Sequence, residues 1–198
     1  MLYYKKQVCV VYRVILCTPE ESVWFFMELA ILNWIQALFC RDWLDPLMVF
    51  VSSLCAHGEI WIVLAAVLLC FRKTRRVGAT VAVALILDLV VCNGLLKPLF
   101  GRVRPCVVNP AVELLVACPS DASFPSGHTA ASFAAVGALR AAGSRLWLPG
   151  VALAVLIAFS RLYLYVHWPS DVLAGALLGW GLGYAARQLL EKTESLRR

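Results

Sequence analysis

The chain has 198 residues, 62% of them hydrophobic and only 15% charged, and a mean hydropathy of +0.79. An ordinary soluble domain is nearer half apolar, so this composition indicates a membrane protein of one compact domain. It excludes a disordered chain, a secreted disulfide scaffold and a nucleic-acid module. The net charge of +6 reads as Lys and Arg gathered in loops on one side of a bilayer rather than as an anionic partner.

In chain order, the early run from Val8 to Cys17 is interrupted by Arg13 and followed by Pro19-Glu20-Glu21, so no cleavable signal peptide is expected. The first 26 residues fit a membrane plan poorly, and Met27 is read as an alternative start. Glu28 to Cys40 sets Leu29, Leu32, Ile35 and Phe39 at helical spacing, too short to span, and predicts an interfacial helix. A span needs roughly 20 apolar residues. Pro46 to Phe71 is a long one, with a kink expected at Ala56-His57-Gly58-Glu59. Val77 to Leu96 follows. Gly127 to Ala142 is short and small-residue-rich, suited to close helix contact, and Leu146 to Val166 and Pro169 to Leu190 complete the set. The expected fold is therefore all-α: a multi-pass transmembrane bundle of about five spans with an N-terminal interfacial helix. Its divisions are a tail and interfacial helix over 1–43, a membrane domain over 44–190 and a cytoplasmic tail over 191–198.

Arg72 to Arg76, then Arg140 and Arg145, then Lys192, Arg197 and Arg198 mark the cytoplasmic side. Alternation from these markers puts the loop from Lys97 to Ser126 and the turn from Val166 to Pro169 together at the outer face. Most of the eight cysteines read as free, since Cys55, Cys70 and Cys92 sit in apolar runs. Cys106 and Cys118 bracket the outer loop, where a disulfide can persist, and the spacing leaves bridged and free forms both open. Within the spans, Gly175, Gly179 and Gly183 form a small-residue face for a close crossing inside the chain. Asp88, near mid-span, is expected to make a structural hydrogen bond, and His57 with Glu59 a local polar contact at the kink.

Two of the three histidines, His128 and His167, fall at outer helix ends, in company with cations. Lys97 precedes Arg104-Pro105 by a gap of six residues; Pro125-Ser126-Gly127-His128 follows; then Ser160-Arg161, five residues, His167, three residues, Asp171. An oxyanion such as phosphate needs fixed positive donors, and Lys97, Arg104 and Arg161 supply them. Ser126 and Gly127 open a helix whose first N–H groups and dipole favour an anion. His167 and Asp171, four apart, would share a helical face, letting Asp171 accept the Nδ1 proton and leaving Nε2 with its lone pair free. Singly, Lys97 and Arg104 could be interface anchors, His128 a cap and Asp171 a dipole partner; as an ordered set, ionisable residues at a membrane edge read as functional.

These three ordered blocks resemble the signature of the type 2 phosphatidic acid phosphatase and lipid phosphate phosphatase superfamily, which includes vanadium haloperoxidases and acid phosphatases. Every signature position is met. The resemblance implies that His167 attacks phosphorus to form a phosphohistidine, Asp171 orients it, and His128 protonates the leaving oxygen and then activates water. It implies phosphate binding by Lys97, Arg104, Ser126, Gly127 and Arg161, with no metal and no cofactor. The substrate it implies is a membrane lipid phosphate or diphosphate: undecaprenyl diphosphate, phosphatidylglycerophosphate or phosphatidic acid, with small bacterial undecaprenyl-diphosphate phosphatases the nearest in character. It places the chain in the cell membrane with an extracytoplasmic site. Transfer of phosphate to another acceptor, and lipid-phosphate binding or transport without turnover, are the alternatives.

Overall fold

A computed structural model describes residues 19–196, with side chains described from residue 23 onward. The segment Val8 to Cys17 and most of the ill-fitting N-terminus lie outside the described residues. The regular structure of the described residues is all helical, with no strand: α1 (Pro19–Phe39), α2 (Asp45–Ser53), α3 (Glu59–Cys70), α4 (Arg75–Asp88), a π-helical segment (Leu89–Leu96), then α5 (Lys97–Phe100), α6 (Pro105–Val108), α7 (Gly127–Ala141), α8 (Trp147–Tyr163) and α9 (Pro169–Leu196).

Several expectations are corrected. Helix α1 begins at Pro19, well before Glu28, and includes Met27. The span expected over Pro46 to Phe71 is two helices, because Gly58 turns left-handed (φ 83°) and Glu59 starts α3. Glu59 accepts hydrogen bonds there from the His57 backbone N–H and ring, the local contact that the sequence suggests. The residues expected as a tail from 191 continue α9 as far as Leu196. Among the described residues, by length and composition, one helical run, Arg75–Val108, is long and apolar enough to cross a membrane; Val23–Phe39, Glu59–Cys70 and Trp147–Tyr163 are shorter apolar helices. Large apolar side chains stand exposed all round, among them Trp24, Val63, Ile86, Val155 and Leu177, a surface suited to lipid.

The core is a seam of small residues. On α9, Gly175, Gly179 and Gly183 lie directly on the backbone of α7: a Cβ on Gly179 would sit 2.1 Å from the Ala130 carbonyl oxygen, and one on Gly183 2.4 Å from the Ala138 nitrogen. Ala134, Ala135, Val136, Ala138 and Leu139 of α7 continue into a buried cluster with Trp61, Val81, Ala84, Ala154 and Ile157. Trp61 donates its indole N–H to Ser132 at 2.9 Å, so even the polar atom of this core is matched. A second small core seats α1: Leu32 packs with Tyr165 and Trp168, joined by Phe25 and Leu29. At one end of the bundle Arg76 of α4 pairs with Glu194 of α9 at 3.6 Å.

Candidate active site

Short connections gather the polar residues at the other end. Helix α5 stops at Gly101, which takes a left-handed φ of 54°, and sends an extended strand of chain through Arg102 and Val103 to Arg104, the N-cap of α6. Ser126 caps α7, and its backbone N–H donates to the Asp171 carbonyl at 3.1 Å, which ties the start of α7 to the first turn of α9. Between α8 and α9, Tyr165 is a non-glycine residue with φ 59°, an unfavourable turn conformation. Two hydrogen bonds hold its hydroxyl: it donates to Asn33 Oδ1 at 2.8 Å and accepts from Asn109 Nδ2 at 3.2 Å. His167 leaves this turn 1% exposed.

The side chains of Lys97, Arg104, Asp121, His128, Arg161 and His167 line one end of a cavity of about 850 Å³, with Gly127 beside them. The remaining wall is largely apolar, formed by α3 and α4 through Ile62, Ala65, Leu69, Ala82, Leu85 and Ile86. Arg104 Nη1 donates to His167 Nε2 at 3.1 Å and to the Val166 carbonyl at 2.7 Å. Since a guanidinium only donates, Nε2 must be the acceptor, so the ring proton is on Nδ1 and the lone pair faces the cavity cations. Burial pushes the His167 imidazole down to about 4; Asp171 opposes that, and the charges of Arg104 and Arg161 reinforce it.

The support behind the ring differs from expectation. His167 precedes α9 rather than sharing its helix, and Nδ1 lies 3.6 Å from Asp171 Oδ2, a long contact rather than a direct bond. Ser123 stands beside it, 3.5 Å from Nδ1 and hydrogen-bonded to Asp171 Oδ2, which also accepts the Trp168 N–H at 2.9 Å. Asp171 Oδ1 accepts from Arg102. Ser126 is also corrected: it is fully buried, with its N–H on Asp171 and its hydroxyl 3.0 Å from that of Thr129, so neither group is directed to the cavity. Gly127 does reach it, close to Lys97 Nζ and Asn93 Oδ1, where a Cβ would meet them at 3.5 and 3.3 Å. Arg161 donates to Ser52, and its Nε has no partner. Asp88, on the cavity wall, keeps a buried Oδ1 without the structural hydrogen bond expected for it.

Asp121, Ser123, Arg102 and Glu28 were not legible as site residues. Arg102 carries the clearest missed signal, a second arginine two positions before Arg104. Asp121 lies three residues beyond the Cys106–Cys118 disulfide, so the pair left open by spacing is bridged and anchors the chain just before it. Its carboxylate occupies the cradle, accepting from Lys97 Nζ at 2.5 Å and from Arg104 Nη2 at 2.8 Å. Burial would raise Asp121, but the Lys97 hydrogen bond and the Arg104 charge hold it down to about 2. Arg104 has no idle donor: Nε goes to the Asp121 carbonyl, and Nη2 also reaches the Ala122 carbonyl. An incoming phosphate must therefore displace the Asp121 side chain. Asp121→Asn is expected to tighten inorganic phosphate as a competitive inhibitor by about tenfold, the worth of one charge-assisted hydrogen bond, read as Ki in steady-state assays.

An all-helical bundle with an apolar face all round, holding an anion cradle at the end of an apolar cavity, defines a helical membrane protein built to handle phosphate-like groups. Residues 76–194 match the model of the PAP2 superfamily. The chain is 35% identical over 182 residues to the undecaprenyl-diphosphatase of Sulfolobus acidocaldarius, covering 90% of this chain and 84% of that protein. It is 30% identical to the undecaprenyl-diphosphatase BcrC of Bacillus subtilis, covering 71% and 72%. Its fold superposes with a TM-score of 0.69 on a transmembrane PAP2-type phosphatidylglycerolphosphate phosphatase from Bacillus subtilis, at 25% identity and covering 96% and 94% of the two chains. The LpxE structure of Aquifex aeolicus gives the same TM-score at 29% identity, covering 81% and 94%. The chain belongs to the PAP2 superfamily, and the Sulfolobus acidocaldarius and both Bacillus subtilis relatives are named as phosphatases.

Proposed function

We propose that this chain hydrolyses a polyprenyl diphosphate, undecaprenyl diphosphate foremost, at the outer face of a cell membrane through a phosphohistidine on His167. The observation that carries the reading is the His167 Nε2 lone pair, aimed with Arg104 into the cationic end of a cavity whose long wall is apolar. The phosphoryl group displaces Asp121 and lies among Lys97, Arg104, Arg161 and the N–H groups opening α7. Arg104 Nη1 leaves Nε2 for a phosphoryl oxygen, and the freed Nε2 lone pair bonds to phosphorus as the P–O bond to the lipid portion breaks. Lys97, Arg104 and Arg161 balance the charge gathered on the phosphoryl oxygens, and His128 gives a proton to the leaving oxygen. His128 then takes a proton from water, whose oxygen attacks phosphorus and returns the electron pair to Nε2. The Nδ1 proton stays against Ser123 and Asp171 throughout, which stabilises the charge that the ring acquires.

The names of the relatives support the diphosphate lipid, and the apolar wall of α3 and α4 suits a hydrocarbon chain. An orientation with Arg72 to Arg76 inside is consistent with the Arg76–Glu194 pair, which sets two of the three basic markers together at the end of the bundle opposite the cradle. A cradle of cations disfavours a metal ion as the phosphate's counter-charge, so the reaction runs without one. The test is phosphate release by the purified protein in detergent with chelator, comparing undecaprenyl diphosphate, phosphatidylglycerophosphate and phosphatidic acid. Release preferring undecaprenyl diphosphate, insensitive to chelator, is expected. Because the attacking ring must be neutral and titrates at about 4 when folded, the acid limb of kcat/KM should fall below the ordinary imidazole value of about 6.5. Loss of release in chelator, or no release from any of the three lipids, would overturn the proposal.

A further inference from the structure

Helix α1 lies outside the segment that the family model matches, yet it grips the turn carrying His167 and Asp171. Gln36 Nε2 donates to the Tyr163 carbonyl at 2.6 Å, Asn33 takes the Tyr165 hydroxyl, and Phe25 packs on Trp168 with ring centroids 5.2 Å apart. The charged contact is Glu28. One of its carboxylate oxygens accepts the Ser170 N–H at 2.9 Å; the other takes Arg102 Nη2. Arg102 Nη1 in turn donates to Asp171 Oδ1 and to the Ser170 hydroxyl at 2.6 Å, and its guanidinium lies 5.4 Å over the Trp168 ring. The chain of charges thus runs carboxylate, guanidinium, carboxylate, imidazole: Glu28, Arg102, Asp171, His167.

Taking the reaction proposed above as its basis, we infer that Glu28 and Arg102 are positioning residues for it: Arg102 anchors Asp171 Oδ1 so that Oδ2 faces His167, and Glu28 offsets the Arg102 charge that His167 would otherwise feel. The geometry leaves Asp171 little freedom. With Oδ1 on Arg102 and Oδ2 on Ser123 and the Trp168 N–H, the carboxylate plane is fixed, and with it the side toward the imidazole. The lone charge on Arg102 would disfavour an imidazolium, which forms when His167 carries phosphorus; Glu28, with its side chain 11% exposed, supplies the compensating charge from α1. The other groups facing His167 are Asp171 from α9, Arg161 from α8, His128 from α7, Lys97 from α5, and Arg104, Asp121 and Ser123 from the intervening loops. Three of these groups, Lys97, Arg104 and Arg161, are cations against the carboxylates of Asp121 and Asp171, and Glu28 adds a third opposing charge from α1.

The test uses the full-length protein in detergent, with ¹⁵N-histidine labelling, and compares wild type with Glu28→Gln, Arg102→Gln and the charge-keeping Arg102→Lys. Removing the Glu28 charge should lower the His167 titration midpoint, and removing the Arg102 charge should raise it, each by on the order of half a pH unit or more, with Arg102→Lys near wild type. The acid limb of hydrolysis of farnesyl diphosphate, a short polyprenyl diphosphate, should move with each midpoint. In Glu28→Gln and Arg102→Gln, kcat should fall about tenfold or more with KM within about twofold, the split expected of residues that do not touch substrate. Shifts of one common sign, or an unmoved His167 midpoint in folded Glu28→Gln protein, would overturn the inference. The midpoint is read without turnover. Absence of hydrolysis in the wild type would therefore count against the proposed function alone, while the opposite shifts of His167 would still stand or fall by themselves.

Discussion

His167→Ala is expected to lose about 10⁴-fold or more in phosphate release, because in the proposed reaction it removes the atom that takes phosphorus and leaves only the cation cradle. The sharper observation is on His128→Ala. A lipid diphosphate leaves as a lipid phosphate, a stable anion needing little proton assistance, so phosphorylation of His167 should persist in that variant. Hydrolysis of the phosphohistidine needs a base for water, and there His128 has no substitute. With ³²P-labelled undecaprenyl diphosphate, His128→Ala should therefore accumulate a protein label stable in alkali and lost in acid, as a phosphoramidate bond is. His167→Ala should show none. A label on His128→Ala that survives the further change of His167 would place the covalent step elsewhere.

Gly179→Val carries the largest expected effect on the fold. Even a bare Cβ there would lie 2.1 Å from the Ala130 carbonyl oxygen and 2.8 Å from the Ala134 nitrogen, both backbone atoms that no side-chain rotation can move aside. Helices α7 and α9 would have to separate along the seam, at a cost of about 3 kcal/mol or more, beyond the usual penalty for overpacking. The expected result is a lowered thermal midpoint in detergent and loss of most folded protein. Because Ser126 N–H bonds to the Asp171 carbonyl across this seam, any folded fraction should also lose turnover. By contrast Gly181, on the same helix with open space around it, should accept Ala with little change in either measurement.

The cradle was legible in the sequence because its residues sit at or near helix ends in three local motifs, and alternation of the spans brings those ends to one side. Lys97, Arg104, Gly127, His128, Arg161 and His167 all line one cavity for that reason. The glycine face of α9 was legible too, since a four-residue repeat in a helix can only mean one stripe. What failed was long-range or conformational. Glu28 meets Ser170 from far along the chain, and nothing local marks that contact. The Leu89–Leu96 segment is apolar apart from Asn93, so its periodicity cannot separate a π-helix from an α-helix. Ser126 kept its place in the motif, but its N–H is taken by the Asp171 carbonyl and its hydroxyl pairs with Thr129, while Asp171 supports His167 as expected with Ser123 beside it.

The Asp121 side chain across Lys97 and Arg104 makes phosphate capture an exchange between anions. A tethered carboxylate acts at an effective concentration in the millimolar range or above, and gives up less freedom on binding than a free carboxylate or chloride ion does. Such ions offer the cradle no more than Asp121 already gives it, so mass action keeps them out. A phosphoryl group carries extra charge and more oxygens, and can satisfy Lys97, Arg104 and Arg161 together. The same tether then competes with the freed inorganic phosphate at the end of each cycle and hastens its departure, so the loop that screens the site on entry also clears it on exit.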